Sequence, residues 1–288
     1  MSDVTVRPVR VIDAWIQPWN EVVVEALPWQ TLNVLRRYGQ TRLMDGVSLQ
    51  EMYDEIDRSA VDLALVSGGP ATPASEVFKT LDDRPDDTVG VVWVDPTQGI
   101  MNALRDLESI VRDHRVCGVK LEPFYLRRDP TDRVFYPLYA KCEELGLTLQ
   151  TQVGGTGPLF PSSTGRPLHI DEVALDFPGL RIVCGHVGSP WAEEMIHVAW
   201  KHENVYIDTS ARLPRHFEPG FSTFLRSYGQ DKCLFGTDWP LLDFDSTLAQ
   251  VEAMDLKPSV RTKFLAANAI TAFSLDRFGF VAQDGDDI

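Results

Sequence analysis

Residues Leu180–Trp191 read LRIVCGHVGSPW. The apolar run from Leu180 to Cys184 stops at Gly185-His186-Val187-Gly188, and a proline precedes the helical pattern that starts at Trp191. The run is too short for a helix, is rich in β-branched residues and is closed by turn residues, so it reads as a buried strand. His186 then stands at the C-terminal end of a strand, just before a strand-to-helix loop. In a parallel α/β barrel that is where reacting groups are carried. A histidine with its hydrogen bonds satisfied inside the core is the competing reading.

The same unit repeats along the chain. Strand-like runs are predicted at Val9–Trp15, Val61–Val66, Thr88–Val94, Val116–Leu121, Leu147–Val153, Leu180–Cys184, Asn204–Asp208 and Cys233–Gly236. Helical spacing lies between them: Leu49–Ala60 with Ser48 as its cap, Ala74–Leu81, the Leu104/Leu107/Ile110/Val111 stripe, the segment ending at Gly146, Ile170–Phe177, Trp191–His202 and Phe221–Tyr228. Two more helices, near Ser246–Met254 and Ser259–Leu275, complete the pattern. Helix-length gaps between short buried strands call for parallel pairing. Eight such units predict an α/β fold of one domain over 1–288, a distorted (β/α)8 TIM barrel with C-terminal helices. No GxGxxG follows the first strand, which disfavours an open dinucleotide-binding sheet. The aromatic, proline-marked stretch 17–45 is long for a strand-to-helix connection and reads as a lid insertion or small subdomain. Residues 282–288 read as a flexible acidic tail.

Composition narrows the partners. The 288 residues carry a formal net charge of −15, against nucleic acid and anionic membrane as partners, since both need a basic surface. A small carbonyl or carboxylate substrate remains compatible, because a few local cations invert the field inside a pocket; a homo-oligomer is equally compatible. None of the four cysteines forms a CxxC pair, which fits reduced, buried thiols. MSDVTVRPVR lacks an apolar signal core and no stretch approaches a membrane span, so a cytoplasmic location is expected.

A barrel would gather the strand ends at one mouth: Asp13, Trp15 and Gln17; Lys120 and Glu122; Gln150, Gln152 and Gly155; His186; Asp208, Ser210 and Arg212; and Asp238. Lys120 and Glu122 read equally as a structural ion pair, and Asp208 as a cap. Trp15, Trp19, Phe124, Trp191 and Trp239 would wall an apolar pocket if they cluster there. Arg127, Arg128, Arg212 and Arg215 lie on the same side as candidate carboxylate clamps or as solvated surface charge.

GVKLEP, the block RPLHIDEVALDFPGLRIVCGHVGSPWAEEMIHVAWKHENVYIDTSA, and CLFGTDWP resemble the amidohydrolase superfamily. More narrowly they resemble its amidohydrolase-related branch, which includes aminocarboxymuconate-semialdehyde decarboxylase-like enzymes. The resemblance runs from about Val11 to Phe273 and is strongest in the second half. It implies a distorted barrel that hydrolyses or decarboxylates small acids, often with one divalent metal. It also implies that His186 is the catalytic histidine of the sixth strand and Asp238 the aspartate of the eighth, a metal ligand or base. The family's first strand carries Asp-x-His-x-His, whereas this chain has Asp13-Ala14-Trp15-Ile16-Gln17, and the fifth-strand histidine is missing from Gln152–Gly155. Tryptophan does not ligate and glutamine is a poor zinc ligand, so no tight metal is expected; at most a divalent ion would be held weakly between Asp238 and His186.

The expectation is therefore a metal-independent hydrolase acting on an activated carbonyl compound (a lactone, a β-keto compound or an amide), with Asp238 as base and His186 as acid or electrophile. Trp15, Gln17, Lys120, Glu122, Gln152, Arg212 and Trp239 are the expected substrate-binding residues. The alternatives are a non-oxidative decarboxylase of an aromatic or unsaturated acid, and a catalytically silent ligand-binding barrel. A pocket shared by His186 and Asp238 favours an enzyme, while Trp15 filling that space favours binding only.

Overall fold

The structure, a computed structural model, describes residues 6–283. Eight parallel strands follow one another in chain order round a single sheet: Ile12–Ile16, Leu63–Ser67, Thr88–Trp93, Val116–Leu121, Thr148–Gln152, Ile182–Gly185, Val205–Asp208 and Cys233–Leu234. They are called the first to eighth strands below. The last returns to the first through backbone bonds: the amide of Ala14 donates to the Phe235 carbonyl (3.0 Å), Asp238 N–H to Trp15 O (2.8 Å) and Gln17 N–H to Trp239 O (3.1 Å). Helices connect the strands on the outside, so the molecule is the (β/α)8 barrel that the strand count predicted.

Alternation along each strand makes two apolar layers. Leu63, Leu65, Val89, Val91, Val183, Tyr206 and Leu234 fill the barrel interior. Ala64, Val66, Val92, Val119, Leu149, Ile182, Cys184 and Ile207 pack outward against the helices. Toward the mouth the inward positions turn polar, with Ser67, Lys120, Gln150, Gln152 and Asp208 buried there. Their polar atoms find partners in one another and in backbone: Ser67 Oγ donates to Gln150 Oε1 (2.8 Å), and Gln150 Nε2 to the Ala14 carbonyl (2.8 Å).

The first strand departs from the predicted Val9–Trp15. The side chain of Asp62 accepts from the amides of Arg10 (2.7 Å) and Val11 (3.1 Å), which turns the chain between two strands. Arg7–Val9 instead forms a separate two-stranded parallel sheet with Phe280–Ala282. Ala282 is therefore paired with Val9 and Gln283 N–H donates to the Val9 carbonyl (2.9 Å) rather than belonging to a tail, and the rest of the predicted tail, 284–288, lies outside the described residues. Within the first strand the register shifts between Asp13 and Ile16. That irregularity exchanges the faces: Ile12 and Ala14 point inward, Ile16 packs outward, and Trp15 and Gln17 take the mouth.

The stretch 17–45 folds as three short helices, Glu21–Ala26, Trp29–Arg37 and Thr41–Asp45. Asn20 caps the first, accepting from Val23 N–H at 3.3 Å. No helix among the described residues is long and apolar enough to cross a membrane.

Candidate active site

A cavity of about 510 Å³ opens at the C-terminal mouth of the barrel, a size suited to a small ligand. The first strand contributes Trp15 and Gln17, the fourth Lys120 and Glu122, the fifth Gln152 and Gly155, the sixth His186, and the loops beyond the seventh and eighth Arg212 and Asp238. Val23, Leu27, Val34, Leu35 and Leu43 from the three short helices form an apolar wall opposite them. Trp19, Phe124 and Tyr125 add aromatic surface. His186 and Asp238 thus border one cavity, of which the Trp15 indole is a wall.

The ionisable groups sit in a graded field. Lys120 is 1% exposed, its Nζ 3.2 Å from Glu122 Oε1, 3.4 Å from Gln17 Oε1 and 4.6 Å from the centre of the Trp15 ring. Gln17 bridges the cation to the acid, because its Nε2 donates to Asp238 Oδ1 at 3.0 Å. Burial pushes the Asp238 carboxyl up to about 8, against the opposing pull of Lys120 and with a further push from Glu122, Asp208 and Asp13. Desolvation likewise lifts Asp208 to about 7, and its Oδ2 has no partner among the described residues. Asp13 is also lifted to about 7, although the Thr237 hydroxyl donates to its Oδ2 at 2.6 Å.

His186 experiences the reverse effect. Burial depresses its imidazole to about 4, and the charges of Lys120 and Arg212 push the same way, only partly offset by a bond to Ser210. Its Nδ1 lies 2.9 Å from the Ser210 carbonyl and 3.0 Å from the Ser210 hydroxyl. A carbonyl can only accept, so Nδ1 carries the hydrogen and Nε2 keeps its lone pair. Ser210 is itself fixed by Asp208, whose Oδ1 accepts from the Ser210 amide at 2.9 Å. His186 at φ +69°, Val187 at +61° and Asp238 at +60° all occupy the left-handed region. A β-branched valine there is costly, and such strain concentrates where a site fixes geometry.

The expected pocket residues divide. Trp239 does not line the cavity: it is fully buried, stacks on Phe244 (centroids 6.1 Å apart, planes 8° apart) and donates from Nε1 to Glu55 at 2.7 Å. The strained Asp238 turns the chain, so the next side chain points into the layer between barrel and helices. Trp191 is also absent from the cavity wall and carries Arg166 over its face. Among the four arginines only Arg212 borders the cavity, held to Glu218 at 3.2 Å; Arg128 pairs with Asp132 and Arg215 contacts His216. The sequence reading missed Tyr125 and the helix 29–37. The clue for the latter was the apolar spacing of Leu32 and Leu35 within a stretch read only as a lid insertion or small subdomain.

The chain belongs to the amidohydrolase family, whose model matches residues 12–275, and is thereby placed among the amidohydrolase-related enzymes. It is 28% identical over 123 residues to a γ-resorcylate decarboxylase of Rhodococcus jostii; the match spans 35% of this chain and 36% of that protein's length. The fold is shared with a TIM-barrel protein, Bb4693, of Bordetella bronchiseptica (24% identity, TM-score 0.76, 92% of this chain and 98% of that one). It is also shared with a 5-carboxyvanillate decarboxylase of Novosphingobium aromaticivorans, crystallised with manganese and a nitrobenzoic acid (15%, TM-score 0.72, 96% and 99%). A probable 2-pyrone-4,6-dicarboxylic acid hydrolase of Acinetobacter baumannii, crystallised with citric acid, superposes as well (12%, TM-score 0.65, 92% and 100%).

The residues at the mouth do not fit the metal found in that decarboxylase. Trp15 presents an indole, Gln17 spends its amide on Asp238 and Lys120, and a buried ammonium stands beside both. Among the described residues no three His, Cys, Asp or Glu side chains come together as a metal-holding group.

Proposed function

We propose that the chain is a carbon–carbon lyase that decarboxylates a small hydroxylated aromatic or unsaturated carboxylic acid without a bound metal. The observation that carries this reading is the Asp238 carboxyl, buried at an aromatic-walled cavity, held by the Gln17 amide and kept neutral at pH 7. Decarboxylation needs an acid that delivers a proton to carbon, and a carboxyl held above the ambient pH serves that purpose. The roles first expected of the pair are then exchanged: Asp238 gives the proton and His186, with its bare Nε2, accepts.

In the proposed step the substrate lies against Trp15, Trp19 and Phe124, with its anionic groups toward Lys120 and Arg212. His186 Nε2 accepts from a substrate hydroxyl, raising electron density in the ring. The carbon that bears the carboxylate takes the Asp238 proton. The bond to the carboxylate then breaks, its electron pair returns to the ring, and carbon dioxide leaves. Asp238, now ionised, regains a proton from water. The helices at 21–45 act as a lid over this cavity, and the enzyme works in the cytoplasm within a single 1–288 domain.

A hydrolytic reading has its own support in His186, since the same lone pair can take a proton from water attacking a lactone or β-keto carbonyl. Chelator-treated protein in deuterated water separates the two. A decarboxylase releases carbon dioxide from hydroxybenzoates and leaves one deuterium on the carbon that lost it, whereas a hydrolase opens lactones and leaves the benzoates intact. The pH profile is a second test. With Asp238 as acid, kcat/KM holds between about 4 and about 8 and falls as Asp238 ionises above about 8. With Asp238 as base it rises through that same region.

A further inference from the structure

By the resemblance, Trp15 and Gln17 stand where the family's first strand has its histidines, and neither offers a metal ligand, yet the chemistry of a carboxylate substrate still calls for a positive charge at the mouth. We propose that the Lys120 ammonium is that charge: it stands in the place of the divalent ion and binds the anionic oxygen of the substrate directly. The proposal rests on the preceding section's reading that a small carboxylate binds without metal and with its anionic groups toward Lys120, but not on the reaction that follows.

Three observations converge on Lys120. It borders the cavity while its body is 1% exposed, so the barrel has taken a full charge out of water to present it there. Such burial is costly unless the charge is paired. Its surroundings are those of a held cation, with a carboxylate oxygen at 3.2 Å, an amide oxygen at 3.4 Å and an indole face at 4.6 Å. Trp15 and Gln17, which the resemblance aligns with the family's first-strand histidines, are two of those three partners. The side chains that displace the metal therefore seat the ammonium instead. Its field also reaches the groups from the other strands: it pulls Asp238 and Asp208 down and helps hold His186 low. Neutral and anionic groups face it from the first strand (Trp15, Gln17) and its own strand's end (Glu122), and Asp238, His186 and Arg212 border the same cavity.

A metal and this ammonium exclude each other. A dication beside a buried ammonium meets like-charge repulsion, which low dielectric strengthens. An ammonium also differs from a metal in what it supplies: three directional N–H donors and a fixed charge, but no vacant orbital. The substrates it suits already carry their charge, such as a carboxylate or phenolate.

The test reads binding, not turnover. Salicylate is titrated calorimetrically into chelator-treated protein, and manganese is titrated separately with EPR detection. The wild-type chain is expected to bind salicylate without metal and to bind no stoichiometric manganese. Lys120→Met should weaken salicylate by about 10- to 100-fold, as loss of a charge-assisted hydrogen bond does, and Lys120→Arg should recover part of it. Trp15→His with Gln17→His should still take no manganese while Lys120 is present, and should take it once Lys120→Met is added. A folded Lys120→Met that binds salicylate as tightly as the wild type overturns the proposal. So does one equivalent of manganese on the wild-type chain, a measurement that needs no variant. Salicylate that binds through Lys120 but is never decarboxylated sinks the lyase reading and leaves this one standing.

Discussion

Strands one and five end in neutral side chains; strands six to eight end in groups that carry or exchange protons. Gln17, Gln150 and Gln152 are held by hydrogen bonds: Gln17 by Asp238 and Lys120, Gln150 by Ser67 and the Ala14 carbonyl, Gln152 by the carbonyls of Gly154 and Gly155 (3.2 Å each), while the Trp15 indole is held by packing alone, its N–H without a partner among the described residues. His186 and Asp238 are also hydrogen-bonded, to Ser210 and Gln17, but they differ in lying in the left-handed region and in having acidities displaced by burial. The difference implies a division of labour. One side of the mouth is a hydrogen-bonded frame that shapes the cavity, and the other supplies the acid and the acceptor.

The sharpest way to break this contrast is to exchange one group on the proton-carrying side without changing its shape. Asp238→Asn keeps the bond from Gln17 in modified form and removes the transferable proton. It should lower kcat by about 10²–10⁴-fold, as loss of a positioned general acid does, with little change in thermal midpoint. His186→Asn should cost a comparable factor, and the double variant less than the product of the two, because the pair acts as a unit. A folded Asp238→Asn that turns the substrate over at the wild-type rate would falsify the assignment. On the frame side, Gln17→Leu cuts the bridge between Lys120 and Asp238; it should move the alkaline limb of the pH profile more than it lowers the plateau.

A smaller effect is expected where the two sides touch. A Cβ on Gly185 would stand 2.7 Å from Cζ3 of the Trp15 indole and 3.0 Å from Cη2, so the glycine at the end of strand six is what lets the tryptophan of strand one lie flat there. Gly185→Ala must displace the ring toward the cavity. Overpacking of this kind costs about 1–3 kcal/mol, and a shifted wall raises KM by about tenfold or more while Asp238 keeps its proton. Titrating the variant with salicylate and following its melting separates the two. Unchanged KM with unchanged stability would show that the indole is not fixed against strand six.

Much of this arrangement was legible in the chain. The short β-branched runs closed by turn residues placed seven strands to within a few residues, because burial on both faces leaves a dense apolar signature. His186 and Asp238 border one cavity, as their strand ends implied. Other features were set by partners distant in sequence. Asp62 captures the amides of Arg10 and Val11 and so ends the edge strand early, and no local pattern announces it. The register shift at Asp13–Ile16 chose which of Trp15 and Ile16 faces inward. The outward turn of Trp239 follows from the backbone of Asp238, whose positive φ a non-glycine residue does not advertise. Acidity was the least legible of all, since it depends on how completely the barrel excludes water from three carboxyls on different strands.

The mildest prediction concerns one of those carboxyls, Asp208, which supports Ser210 and has one oxygen without a partner among the described residues. Burial raises its pKa from 3.8 to about 7. Between those values the folded chain keeps a proton that the unfolded chain has lost, so this group's contribution to stability is complete below about 4 and declines as pH rises to about 7. His186 acts in the opposite direction, its lowered value making the fold gain stability as pH rises from about 4 to 6.5. Asn at 208 cannot ionise. Asp208→Asn should therefore flatten the decline between pH 5 and pH 8 while leaving the histidine contribution in place, so the difference between variant and wild type isolates the carboxyl. Each pH unit of displaced acidity corresponds to at most about 1.4 kcal/mol, or about 2–4 °C in the midpoint of a chain this size. The variant should thus gain several degrees on the wild type in going from pH 5 to pH 8, whatever constant offset the new amide introduces at both. Parallel melting curves at the two pH values would mean that Asp208 is ionised in the fold, and that the proton-carrying side of the mouth is wetter than its burial implies.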